Sequence, residues 1–270
     1  MFLKRLDTGM LQSNCYIVGD AGEDASGEDA AGAKAGGMGE AVAGHKASGE
    51  AVVIDPGVEP REVSQILKAN QLILKYIILT HAHIDHIVQV GELKDVCGGK
   101  VVIHEMDAPL LGDKVLNGSV MFGSDKRFRE ADILVKDGDT LEIGSVRLKF
   151  IHTPGHTPGS MCIKATECLT GTECGRIATA EAVVSAVASA VTSTEGGASA
   201  GAKAGTGDCC IFTGDTLFRR GVGRTDLGAG DSRQLAKSLS RLMELQDELT
   251  VYPGHGPATS IGHERKIIGK

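Results

Sequence analysis

Short apolar runs rich in β-branched residues recur along the chain: "YIILT" at 76–80, "KVVIH" at 100–104, "VRLKFIHT" at 146–153, "CIFTGD" at 210–215 and "LTVYPGHG" at 249–256. Runs of this length and composition predict strands, and four of them end in a polar or histidine-bearing turn. Elsewhere the period lengthens. Val63, Ile66 and Leu67 follow Pro60, and Leu235, Leu239, Leu242 and Leu245 follow Asp231 and Ser232, giving apolar stripes at helical spacing behind helix-start residues. Strands grouped in two halves with helices interspersed predict two sheets stacked face to face between helical layers.

Two stretches carry neither period. Residues 20–50 and 165–207 are rich in Ala, Gly, Ser and Glu, a composition that buries too little apolar surface to offset the entropy of ordering, so mobile loops are expected. Within the second, "AEAVVSAVASAV" supports at most a transient helix. Apolar runs flank each stretch, "NCYIV" and "AVVID" the first, "SMCIK" and "CCIFTGD" the second. Both therefore read as enlarged hairpin loops inside one domain spanning 1–270, and His45, in the first, reads as solvated.

Composition narrows the function. Of 270 residues 41% are apolar, enough for a large core, and the formal charge of -7 lacks the basic excess that a nucleic-acid or anionic-membrane surface wants. A small-molecule substrate is expected instead. The start, "MFLKRLDTGMLQSNCYIVGD", has no signal-peptide core, and no run reaches membrane-spanning length, so the expectation is a soluble cytoplasmic protein. Seven cysteines fit reduced structural thiols better than a disulfide framework.

The chemistry concentrates in "THAHIDHI", residues 80–87. His81, His83, Asp85 and His86 would be costly as core, because each buried imidazole nitrogen needs a partner, and metal coordination removes that cost. Four ligands pointing two ways imply two adjacent metals. Further donors follow other apolar runs: His156 in "HTPGHTPGS", Asp215 in "TGD", and His255 in "YPGHG". A glycine beside each lets the backbone turn sharply towards an ion, and Asp215 is a carboxylate able to bridge two. His152 reads as structural or supporting, and His104 and His263 as non-ligands.

The motifs "THAHIDH", "HTPGHTPGS", "TGDTLF" and "YPGHG", in this order, resemble the metallo-β-lactamase superfamily over nearly the whole chain outside the two stretches. Within it, "RLDTGMLQSNCYIV" and "GDTLFRRGVGRTDLGAGD" resemble compact glyoxalase II-like hydroxyacylglutathione hydrolases. The resemblance implies an α+β fold, an αββα sandwich with two low-complexity loop inserts and a dinuclear site at one edge. By motif position one metal would be held by His81, His83 and His156, the other by Asp85, His86 and His255, with Asp215 bridging. Val88 and Gln89 stand where the family usually carries glycines, and the separate helical domain of longer glyoxalase II enzymes is expected to be missing.

Two adjacent cations acidify a bridging water and polarise a carbonyl, so hydrolysis is the expected reaction. A small thioester, S-lactoylglutathione or another acylated thiol, suits the site because its thiol leaves as a thiolate without a strong general acid. Asp85, as a metal ligand, would also orient the attacking hydroxide, and Asp215, the bridging carboxylate, is the second catalytic residue expected. The cofactors are two divalent ions, zinc in first place, with iron or manganese accepting the same ligands. Arg224, in "RRGVGRTD", occupies by resemblance the loop that binds the thiol moiety. It either grips a substrate carboxylate or pairs with Asp226 or Asp231. The main competing reading is a single-iron persulfide dioxygenase on the same fold, which shares the "GRTD" loop. A secreted β-lactamase, an RNA-processing relative and a redox module fit less well.

Overall fold

The computed structural model describes residues 1–20, 49–126, 128–167, 208–227 and 229–268. Strands β1 (Phe2–Leu6), β2 (Cys15–Asp20), β3 (Gly49–Ile54), β4 (Leu72–Ile78), β5 (Lys100–His104) and β6 (Ile133–Val135) form a six-stranded sheet in that order. It is antiparallel from β1 to β3 and parallel from β3 to β6. Parallel neighbours need crossovers, which here are helices. They are α1 (Pro60–Ala69) after β3, then α2 (Ile84–Ile87) and α3 (Val90–Cys97) after β4; α4 (Ala108–Leu111) follows β5.

The second half continues with β7 (Thr140–Ile143), β8 (Val146–His152), β9 (Met161–Glu167) and β10 (Asp208–Gly214). A small hairpin, β11 (Leu217–Phe218) with β12 (Gly221–Val222), leads to α5 (Ser232–Leu242), β13 (Thr250–Pro253), β14 (Thr259–Ser260) and α6 (Ile261–Ile268). The sheet order is β14-β13-β10-β9-β8-β7, with β10 and β13 the parallel pair joined through α5. Asp231 starts α5 by accepting the N–H groups of Arg233 and Gln234, as its place before the leucine stripe suggested. Leu245 lies past the helix end but packs, partly buried, against the same cluster.

Successive strand residues sort into different cores, because side chains alternate across a sheet. Tyr16, Val18, Val52, Ile54, Ile78 and Val102 face Leu148, Phe150, Ile163, Cys210 and Phe212 of the other sheet. The intervening Cys15, Ile17, Val53, Ile77 and Ile103 pack outward with Val63 and Leu67 of α1 and Leu93 of α3. On the far side Cys162, Ile211 and Val251 meet Leu235, Leu239 and Leu242 of α5. Three stacked cores make the four-layer αββα sandwich.

The low-complexity stretches begin and end on antiparallel neighbours: β2 and β3 pair from Tyr16↔Ile54 to Asp20↔Glu50, and β9 and β10 from Ile163↔Phe212 to Thr166↔Asp208. Their limits are narrower than the sequence suggested, since Asp20, Gly49, Glu50 and residues 165–167 belong to strands. His45, the 180–191 segment and the mobility expected of both stretches lie outside the described residues. Cys15, Cys162 and Cys210 are buried and form no disulfide among the described residues, and burial pushes Cys162 up to about 12, as inert core thiols behave. No helix among the described residues is long and apolar enough to cross a membrane.

Candidate metal centre

The C-terminal ends of β3, β4, β10 and β13 open onto one edge of the sandwich, where ligands of parallel strands collect. Thr80 to His83 follow β4, and α2 carries Asp85 and His86 one turn later. His156 sits in the turn between β8 and β9, Asp215 directly after β10, and His255 two residues after β13. Glycine is required at some of these exits. A Cβ on Gly254 would collide with Asp215 Oδ1 and lie 2.7 Å from His86 Cε1, and Gly155 has φ 139° and packs on the backbone of Leu235.

All seven expected donors converge. His81, His83 and His156 form one trio with donor atoms within 4.8 Å of one another, and Asp85, His86 and His255 form a second. His83 Nδ1 lies 2.9 Å from His156 Nε2, and His255 Nε2 lies 3.0 Å from Asp85 Oδ2 and 3.3 Å from His86 Nε2. Asp215 stands between, with Oδ1 3.4 Å from His86 Nε2 and Oδ2 3.7 Å from His156 Nε2 and 3.6 Å from His255 Nε2.

The donor set fits divalent metal. His156 donates its Nδ1–H to the Arg224 carbonyl at 2.7 Å, and His86 donates Nδ1–H to Asp55 Oδ2 at 3.0 Å, so both turn Nε2 lone pairs inward. Thr80 Oγ1 donates to Asp55 Oδ2 at 2.7 Å, which leaves it to accept from His81 Nδ1 at 3.1 Å and aims His81 Nε2 inward as well. His81 Nε2 and Asp215 Oδ1 are buried and have no hydrogen-bond partner. Lone pairs that face one another in a buried site repel, and a cation is what reconciles them.

Electrostatics sharpen this picture. Burial, followed by the His156 imidazole, pushes His83 down to about 3, and burial with the neighbouring imidazoles lowers His81 well below its ordinary value. Both therefore keep free lone pairs. Burial tends to raise Asp85 and Asp215, but the imidazoles of His86 and His255 outweigh it and hold both carboxyls low. Burial tends to lower His86, and Asp85, Asp215 and Asp55 together override it and raise the ring well above its usual range, so the carboxylates draw positive charge to its Nε2, a place a proton or a metal ion would take.

Supporting residues that carried no sequence motif hold these donors in place. Asp55, buried at φ 53°, accepts from Thr80 N–H through Oδ1 at 2.8 Å as well as from Thr80 and His86 through Oδ2. Asp107, fully buried, accepts from Ala82 N–H at 3.0 Å, Thr157 Oγ1 at 2.7 Å and Gly159 N–H at 2.6 Å. It thus ties the His81–His83 turn to the His156 turn. Asn14 Nδ2 donates to the carbonyls of Pro253 and Gly256 around His255, Tyr16 O–H donates to Pro253, and Ser13 Oγ donates to the Asp85 carbonyl.

The remaining histidines among the described residues stand apart from the cluster. His152 stacks on His104 with ring centroids 4.0 Å apart and meets the Pro158 carbonyl at 2.8 Å, a structural arrangement; His263 is on the surface beside Glu264. Arg224 lines the cavity of about 230 Å³ above the donors. Its guanidinium is held by Asp226 through two bonds of 2.7 Å, so the side chain is engaged in the pair rather than free.

The model of the metallo-beta-lactamase superfamily matches residues 45–168. An uncharacterized Mycobacterium leprae protein is 31% identical, with 99% of this chain and 97% of that one aligned. A probable metallo-hydrolase of Bacillus subtilis is 30% identical over 78% of this chain and 82% of its own length. The hydroxyacylglutathione hydrolase GloC of Haemophilus influenzae is 27% identical over 80% and 84%. Among solved structures, the B3 metallo-β-lactamase BLEG-1 aligns at TM-score 0.67 with 28% identity over 98% and 97% of the two chains. TTHA1623 in a di-iron-bound form aligns at 0.61 with 27% identity over 99% and 98%. ETHE1 from Myxococcus xanthus, at 24% identity, TM-score 0.59 and coverage of 100% and 86%, shares the fold. Fold, donor cluster and relatives agree: the chain belongs to the metallo-β-lactamase superfamily of metal-dependent hydrolases.

Proposed function

We propose that the chain hydrolyses a small acylated thiol at a centre of two divalent ions. The observation that carries this reading is the pair of facing donor trios with the Asp215 carboxylate between them. His81, His83 and His156 would hold one ion, Asp85, His86 and His255 the other, and Asp215 would touch both. Zinc suits these ligands first; the di-iron form of TTHA1623 makes iron the alternative. When bound, two such ions acidify a shared water and polarise a carbonyl.

The protein's own residues do the positioning. Asp55 and Thr80 set the tautomers of His86 and His81, and the Arg224 carbonyl sets that of His156. Asp85 and Asp215, ionised beside the cavity, would orient the attacking water. The side chains lining the cavity include no free lysine or arginine among the described residues, so protonation of a poor leaving group has no evident donor. A thiolate, which departs unprotonated, fits that wall. The 27% identity to GloC supports the same substrate class.

Elemental analysis of purified protein together with a thioester panel that includes S-lactoylglutathione tests the proposal. Thioester turnover that tracks metal loading supports it. Metal-loaded protein that leaves every thioester intact, or that consumes oxygen with a persulfide at one iron per chain, overturns it.

A further inference from the structure

Four exposed large apolar side chains lie together around the mouth of the donor cavity. Leu11 (59% exposed), Val115 (64%), Met121 (66%) and Phe122 (44%) all line it. Isolated surface apolar residues are ordinary, but a cluster at the mouth of a cleft marks a contact surface.

This lip is built rather than incidental. Leu11 is held at φ 55° and the adjacent Gln12 at φ 58°, a costly conformation for residues with a Cβ. The turn is fixed by Gln12 N–H donating to the Gly9 carbonyl and Ser13 N–H to that of Met10. Opposite, Met121 and Phe122 end a short 3₁₀ turn, Ser119–Phe122, bounded by Gly118 and Gly123 in left-handed backbone. Asn117 pins that turn: its Oδ1 accepts from Ser119 N–H at 2.9 Å, its Nδ2 donates to the Leu111 carbonyl, and its own carbonyl accepts from Ile84 N–H at 2.8 Å. Ile84 begins α2, which carries Asp85 and His86. The lip is thereby attached to the ligand helix, and both polar ends of Asn117 are already used.

Charge on the same wall points the same way. Arg224 is the single lysine or arginine among the described residues lining the cavity, and Asp226 takes one edge of its guanidinium, through Nε and Nη2, and balances its charge. A carrier with two carboxylates, such as glutathione, finds on that wall a single guanidinium, whose charge Asp226 already balances. We infer that the substrate is a thioester with an uncharged, apolar substituent, which lies against Leu11, Val115, Met121 and Phe122 while its carbonyl reaches the seven donors. This rests on the acylated-thiol reading above, and the test below keeps the two separable.

Affinity and turnover are read separately. Zinc-loaded full-length protein is titrated with S-methyl- and S-hexyl-N-acetylcysteamine, thioethers that cannot be hydrolysed. Each methylene that leaves water strengthens binding by about two- to fourfold, so the hexyl compound should bind at least about tenfold tighter than the methyl compound. Met121→Ser with Phe122→Ser should remove that gain and leave binding of the methyl compound, metal content and thermal midpoint unchanged. Because both side chains are exposed, the variant has no core to lose. In the companion assay, kcat/KM for hexanoyl-N-acetylcysteamine should exceed that for acetyl-N-acetylcysteamine and for S-lactoylglutathione by a similar factor. Equal affinities for the methyl and hexyl thioethers, or a chain-length gain that survives in the double variant, would overturn the lip. A faster reaction with S-lactoylglutathione than with the hexanoyl compound would also overturn it. Chain-length-dependent binding with no hydrolysis of any thioester would instead uphold the lip and overturn the proposed reaction.

Discussion

Asp55 makes an uncommon connection, because one carboxylate orients a histidine of each trio. Its Oδ2 accepts from His86 Nδ1 at 3.0 Å directly and, at 2.7 Å, from Thr80 Oγ1, which in turn accepts from His81 Nδ1 at 3.1 Å. Asp55→Asn keeps the volume and tolerates the left-handed backbone at φ 53°, so the fold should persist. What is lost is the second acceptor oxygen, and with it the fixed Nε2 lone pairs of His86 and His81. Removing such a partner typically costs about 10–100-fold in metal affinity, or about 1.4–2.7 kcal/mol per histidine. Competition against a chromophoric chelator resolves two stepwise zinc constants. Asp55→Asn should weaken both by that range, whereas Thr80→Val, which removes only the link to His81, should weaken one. Two unchanged constants in Asp55→Asn, or equal weakening of both in Thr80→Val, would refute the relay.

Three further outcomes follow from named contacts. Asp215→Ala removes the carboxylate between the trios and should lower kcat by about a hundredfold, with a small change in thermal midpoint at saturating metal; retained turnover would show that Asp215 does not link the ions. His104, 3% exposed and stacked on His152, is pushed down to about 4 by burial and by that neighbouring ring, while an unfolded histidine titrates near 6.5. Between these values the unfolded state binds more protons, so this contribution to stability is full above pH ~6.5 and is lost as pH falls towards ~4. His104→Gln should therefore narrow the stability gap between pH 7 and pH 5 by about 1–2 kcal/mol in chemical denaturation, and an unaltered gap would contradict the assignment. Arg224→Ala should change KM for S-lactoylglutathione by less than about threefold, because Asp226 already holds the guanidinium; a tenfold rise with kcat spared would show that Arg224 leaves Asp226 for the substrate.

The strands and the donors were legible in the sequence because each leaves a local mark. β4, β5, β8, β10 and β13 coincide with β-branched runs, and the seven donors sit at run ends beside Gly or packed into a single heptapeptide. The arrangement of the sheets follows less directly. Alternating residues such as Tyr16 and Ile17 are apolar on both faces, so period alone does not say which face meets the partner sheet. The support residues were harder still. Asp55, in "VVIDPG", and Asp107, in "HEMDAP", act through acceptor bonds to residues 25 to 52 positions away, and only folding brings those partners near. An aspartate ending an apolar run was the one available sign for Asp55. The engagement of Arg224 with Asp226, two residues on, was visible as a possibility in "GRTD", and the competing substrate role could be weighed against it only with the geometry in hand.

The central claim is that two divalent ions act together at these donors. Metal-free protein reconstituted with increasing zinc, with ion content and thioester hydrolysis followed in the same samples, tests it most directly. The account predicts that content levels off at two ions per chain and that activity rises mainly as the second ion enters. Full activity at a firm single ion per chain would contradict it.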